Sequence, residues 1–248
     1  MKAQVLYKNI WYKTDLDKQT DLSLPVGQVR CFHAPKFEAK PFEMGDFVGS
    51  VLKGAPVNYY NIALNPHGNG SHTECVGHIT KVQESVNLAL KNYHFIATLI
   101  SVDVELMDDG DRIIALDEIM TKFNGDITEA LIIRTNPNTK DKINFDYTET
   151  NPPYLSDEAM EYICQQGVSH LLIDLPSVDK EYDEGKLSCH NIFWNTNGKI
   201  RTNATITELI FVPDDAKDGL YLLNLQLAPI NLDASPSRPV IYPLTKMN

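Results

Sequence analysis

Residues 151–179 read NPPYLSDEAMEYICQQGVSHLLIDLPSVD, and this stretch decides the fold class. Apolar residues at Ala159, Met160, Ile163 and Cys164 recur at helical spacing. Ser156 stands where an N-cap belongs and Gly167 suits the residue just past the helix end. The spacing therefore predicts a helix over 155–167, then a strand over 168–174 that stops in the turn LPSVD. A helix feeding a buried strand that ends in polar turn residues is an α/β unit, with functional groups expected at the strand's carboxyl end.

Working outward, 96–106, 130–134, 170–174, 206–212 and 220–227 are rich in β-branched and aliphatic residues and read as strands. A second, shorter helix is expected over 80–93. No repeat, low-complexity tract or Gly/Ser-rich linker interrupts the chain, so the expectation is one α/β domain over 1–248 with more strand than helix.

The 248 residues carry 22 Lys and Arg against 33 Asp and Glu, a formal charge of −11. A polyanion needs clustered Lys and Arg, so neither nucleic acid nor an anionic membrane surface fits as a partner. No stretch approaches the roughly 18 apolar residues of a membrane span, and the first fifteen residues lack the apolar core of a signal peptide. Cys31, Cys75, Cys164 and Cys189 are isolated from one another, as expected of reduced thiols in a cytoplasmic protein.

Three of the seven histidines lie close together in PHGNGSHTECVGHIT (66–80), namely His67, His72 and His78, with Glu74 between them. Imidazole and carboxylate together are a common ligand set for zinc, manganese or iron; the plain alternative is a polar loop with scattered histidines. On an extended segment His72 and Glu74 project from one face about 6.6 Å apart and can converge on one ion. His78 lies roughly 13 Å along a straight strand, so it fits an acid/base or supporting role better than a ligand, unless Gly77 bends the chain. Cys75 points away from that face, which favours packing. His72-Thr73-Glu74 also matches the H-x-E of zinc nucleobase deaminases, but their downstream P-C-x-x-C is absent. A cupin-like barrel stays open as a weaker alternative.

GSHTECVGH (70–78) resembles the HxGTHxDxPxH signature of the cyclase family, which includes bacterial arylformamidases (kynurenine formamidases) and isatin hydrolases. Further segments follow in order: TDLSL (20–24), ALIIRTN (130–136), the 151–179 unit with its D-x-P-S-x-D turn, HNIFW (190–194), ITELI (206–210) and SPSRPV (235–240). The resemblance implies a swivelling β/β/α fold, a dimer or tetramer, and one or two divalent ions, zinc or manganese. It implies metal ligands at His67, His72, Glu74, His190 and Glu208, with His78 as general acid/base and Glu208 also serving the catalytic step. The implied reaction is hydrolysis of a C–N bond in a small amide, cyclic amide or lactone-like substrate.

Three positions depart from the signature. Its first histidine falls on Gly68, one residue after His67. Its aspartate is Glu74, and its proline is Val76. These departures motivate an alternative, a non-catalytic binding or assembly module with a degraded site. Glu208 alternates with Ile206 and Ile210, and a carboxylate on a buried strand is costly unless paired or bound to metal. Asp174, Ser177 and Asp179 fit turn chemistry or site support equally. Arg134 and Arg238 are expected to pair with acidic groups, and His33, His94 and His170 to be structural or exposed. Trp11 and Tyr59-Tyr60 are candidates to line an apolar substrate pocket.

Overall fold

The computed structural model describes residues 1–124 and 128–247. Seven strands form its centre: β1 (His72–Glu74), β2 (His94–Val102), β3 (Ala130–Thr135), β4 (His170–Ile173), β5 (Thr205–Glu208), β6 (Gly219–Leu227) and β7 (Ala234–Pro243). They run in the order β6-β2-β3-β4-β5-β1-β7, and β7 pairs back onto β6, closing a barrel. Strands β2 to β5 are mutually parallel; β1, β6 and β7 are antiparallel to their neighbours. Closure removes most of the open sheet edge, and Thr20–Asp21 adds to β7 from outside.

Three helices, α1 (Leu116–Lys122), α2 (Asp157–Gln165) and α3 (Ser188–Trp194), cover the outer face of the parallel strands. Side chains alternate along a strand. On β3, Leu131 and Ile133 pack outward against Ile119, Met160, Ile163 and Phe193, whereas Ala130 and Ile132 fill the barrel with Leu99, Leu172, Leu223 and Ile241. All six residues of β3 are buried because both of its faces are covered. This is the mixed α/β architecture, richer in strand than helix, that the 151–179 unit predicts.

Ser156 does cap α2, accepting a hydrogen bond from the Ala159 amide at 3.2 Å, and Gly167 takes a left-handed φ of 81° just beyond it. Two strands are shorter than expected. Segment 96–106 divides at Val102, and Glu105–Leu106 joins a separate small sheet with Arg112–Ile114 and Tyr154–Leu155. Segment 206–212 stops at Glu208, because Leu209 turns the chain with φ of 54°.

The helix expected over 80–93 is corrected to a single turn, Val86–Ala89. Residues ahead of it are spent on a local fold-back. Thr80 Oγ1 donates to the carbonyls of Val76 and Val82, and Cys75 Sγ donates to that of Glu84. These side-chain bonds compete with the helical ladder. Gly77 lies so close to Glu84 that an added Cβ would sit 2.3 Å from its carbonyl oxygen.

Candidate metal centre

Strand β1 carries His72 and Glu74 and lies between β5 and β7. Its register sets His72 opposite Glu208 and Glu74 opposite Ile206 on β5. Both β1 side chains are fully buried, so any charge they hold must be compensated locally.

Five further groups surround them. His67 returns to the site through a tight loop, Asn65–Asn69, in which Asn65 Oδ1 accepts from the Gly68 amide and Asn69 Oδ1 accepts from the Asn65 amide. Gly68 packs on Ala34, where a Cβ would be only 2.2 Å away. The one-residue offset from the signature is thus absorbed, and His67 Nδ1 lies 3.0 Å from Glu74 Oε2. His78 arrives by a 3-10 turn, Val76–His78, with Nε2 3.9 Å from the same oxygen. That is the bend at Gly77 which the straight-strand reading required for His78 to join the cluster.

His190 enters from α3, its Nε2 3.1 Å from Glu74 Oε1 and 3.8 Å from Glu208 Oε1. Asp179 fixes this imidazole. Its carboxylate accepts from the Cys189 and His190 amides at the start of α3 and from His190 Nδ1. Glu208 Oε1 accepts from the Val178 amide at 3.1 Å. Asp233, immediately before β7, lies 2.9 Å from His67 Nε2 and 3.5 Å from His78 Nδ1.

The cluster is strongly coupled. Burial lowers the His67 pKa, but hydrogen bonds and charge from Asp233 and Glu74 outweigh it and carry the group up to about 10. Burial likewise opposes ionisation of His190, yet Asp179 and Glu74 raise it. Burial raises Glu74, and the positive field of His78, His190 and His67 overrides it, holding the carboxyl well below its usual range. Asp233 is lowered by its hydrogen bonds to His67 and His78.

The donor set fits a divalent cation. His72 Nδ1 lies 3.1 Å from the Gly70 carbonyl, a contact that requires a proton on Nδ1 and leaves Nε2 as the ring atom available to a metal. Nε2 faces Glu208 Oε2 at 3.4 Å. Among the described residues His72 Nε2 is buried without a hydrogen-bond partner, whereas Glu74 Oε2 is met by the His67 imidazole at 3.0 Å. The His72 imidazole and the Glu208 carboxylate, facing each other out of water, demand a proton or an ion between them. Among the described residues, two groups have ligand atoms close enough to hold one: His67, Glu74 and His78, and His72, Glu74 and Glu208. Glu74 belongs to both.

A cavity of about 310 Å³ opens onto these groups, bordered by Phe32, Ala34, Lys180 and Leu187 as well as His67, His78, His190 and Glu208. Lys180 is held by an ion pair to Asp111. Trp11 and Tyr59-Tyr60 do not border this cavity; Trp11 and Tyr60 are exposed on outlying strands, Tyr59 is exposed just ahead of one, and Phe32 supplies the aromatic wall.

The other weighed residues fall outside the cluster. Cys75 is packed. His170 is buried beside Thr205, His94 bonds to Asn224, and His33 pairs with Glu149 at the surface. Arg134 pairs with Asp218 and Arg238 with Asp21. Asp174 binds Thr135 and Lys142, and Ser177 Oγ accepts from the Asp179 amide within the turn. The sequence gives little sign of Asp233 beyond an acidic residue two positions ahead of SPSRP.

Closed barrel and buried His/carboxylate cluster together describe a metal-binding α/β domain. The cyclase family matches residues 20–180, most of the chain, and the chain belongs to that family. It is 27% identical over 189 residues to a kynurenine formamidase of Bacillus cytotoxicus, covering 76% of this chain and 81% of that one. A kynurenine formamidase of Bacillus anthracis is 26% identical over 154 residues, covering 59% and 68% respectively. Isatin hydrolase A from Labrenzia aggregata shares the fold with a TM-score of 0.64 at 14% identity, over 91% of this chain and 93% of that one. A predicted metal-dependent hydrolase from Bacillus stearothermophilus superposes with a TM-score of 0.60 at 16% identity, over 91% and 98%.

Proposed function

We propose that this chain is a metal-dependent hydrolase that opens a C–N bond in a small amide or cyclic amide. The observation that carries the reading is the buried His72 Nε2, which makes no hydrogen bond among the described residues and faces Glu208 Oε2 at 3.4 Å inside a ring of further imidazoles and carboxylates. Kynurenine formamidases and isatin hydrolases among the relatives and structural neighbours support the same class.

In this reading His67, His72, Glu74, His190 and Glu208 hold one or two ions, zinc or manganese, with Glu74 serving both positions. When bound, a divalent ion there polarises a carbonyl oxygen and lowers the pKa of a coordinated water. His78 is the general acid/base: its Nε2 accepts the proton of the attacking water and returns it to the leaving nitrogen as the C–N bond breaks. Asp233 orients His78 through Nδ1, and Asp179 does the same for His190. Glu208 sets the position of attack, its Oε1 fixed by the Val178 amide. Phe32 and Leu187 give the substrate's apolar part a wall and exclude water. The chain acts in the cytoplasm as a homodimer or homotetramer.

The test combines elemental analysis of untagged protein with a hydrolysis screen over N-formylkynurenine, simple formanilides, isatin and lactones. Zinc or manganese at one or two per chain, lost with activity in His72→Ala, supports the proposal. Metal-free protein inert on every substrate after supply of both ions refutes it.

A further inference from the structure

A second cavity, about 490 Å³ and larger than the one over the His/Glu cluster, lies at the carboxyl ends of three parallel strands. Val104 follows β2, Thr135 ends β3, and Leu175 follows β4; all three border it. Ligand sites in open and closed α/β sheets gather at such strand ends. The two cavities have no bordering residue in common.

Its walls are mainly apolar: Val104, Leu106, Pro137, Phe145, Tyr147 and Leu175. Phe145 and Tyr147 meet edge to face with centroids 4.9 Å apart. The floor is polar but internally satisfied. Lys142 Nζ donates to the Thr135 carbonyl, to Thr135 Oγ1 and to Asp174, each at 2.8 Å, so all three of its protons are used.

The rim differs. Arg112 is fixed by Nη2, which donates to the carbonyls of Thr150 and Asn151 at 3.2 and 2.6 Å. Among the described residues its Nε and Nη1 make no hydrogen bond or ion pair, and the exposed side chain shares the cavity border with Asp141. A guanidinium held by two carbonyls at the edge of an apolar cavity is an anion-recognising group set in advance.

We propose that this cavity is a second ligand site, separate from the metal centre, that takes a small molecule with a flat apolar body and one carboxylate. The body stacks against Phe145 and the proline-lined wall, and the carboxylate meets Nε and Nη1 of Arg112.

The probe is 2-naphthoate, titrated calorimetrically into the full-length protein, with naphthalene-2-carboxamide as its uncharged counterpart. Wild type is expected to prefer the carboxylate by at least tenfold. Arg112→Ala should remove that preference while leaving carboxamide binding within twofold, and Arg112→Lys should restore part of it. His72→Ala, confirmed folded by its circular dichroism, should bind 2-naphthoate as wild type does. The proposal is overturned by absence of 2-naphthoate binding to folded wild type, by an unchanged preference in Arg112→Ala, or by loss of binding in His72→Ala. The last result would move the probe to the metal centre. Because binding is read without turnover, failure of the hydrolase reading leaves this test intact.

Discussion

His72 and Glu208 are direct register partners on antiparallel strands, and their facing atoms, Nε2 and Oε2, stand 3.4 Å apart in a buried site. Removing either partner leaves the other buried without compensation. His72→Ala or Glu208→Ala should strip the metal and reduce hydrolysis by about 100-fold or more. Elemental analysis beside turnover on the same samples decides the matter, and full activity in either variant would exclude the proposed centre.

Glu74 touches both candidate ion positions, whereas His67 belongs to one. Glu74→Gln is therefore expected to lower the metal-to-protein ratio at both, and His67→Ala at one. Equal ratios in the two variants would argue for a single ion.

The His67 pKa of about 10 stands above its unfolded value near 6.5. A raised pKa means the folded, metal-free protein binds the extra proton, so this stabilisation is complete below about pH 6.5 and lost as pH rises through about 10. The melting temperature of metal-free protein should fall across that interval, and Asp233→Asn should flatten the fall. Metal must displace the same proton, so its affinity should rise with pH. A pH-independent affinity would contradict this account.

His170 behaves in the opposite sense. Burial, helped by the charge of Arg201, lowers it to about 4. Its contribution is present above about pH 6.5 and lost as pH falls toward 4. Melting curves of wild type and His170→Gln should converge on acidification through that range; parallel curves would show that His170 does not titrate this way.

Gly77→Ala places a methyl against the Glu84 carbonyl, so the turn that delivers His78 must shift. The variant should fold with modest destabilisation, about 1–3 kcal/mol, and should lose turnover while retaining metal. Unchanged turnover would remove the need for His78 at its observed position.

The α/β class was legible because 151–179 keeps its signals local: a cap, a helical stripe, a glycine stop and a buried strand. His72 and Glu74 were legible for the same reason, a two-residue alternation. The clustering of His67 and His78 was harder to read, since each arrives through a turn set by distant packing, Gly68 on Ala34 and Gly77 on Glu84. Asp233 comes from more than 150 residues downstream of His67 and His78, and nothing in its own neighbourhood announces the contact. The failed helix over 80–93 had adequate composition, but Thr80 and Cys75 diverted its first turn into tertiary bonds.

β1 is three residues long and wedged between β5 and β7, strands that follow it by well over a hundred positions. Synthesis delivers His67, Glu74 and His78 long before Glu208 and Asp233. A nascent chain halted ahead of residue 205 carries the histidine-rich segment before either strand that flanks β1 exists. The observed cluster therefore cannot form until Glu208 has been made, and the interval before that is when this segment is most open to scavenging the wrong ion or pairing with another chain.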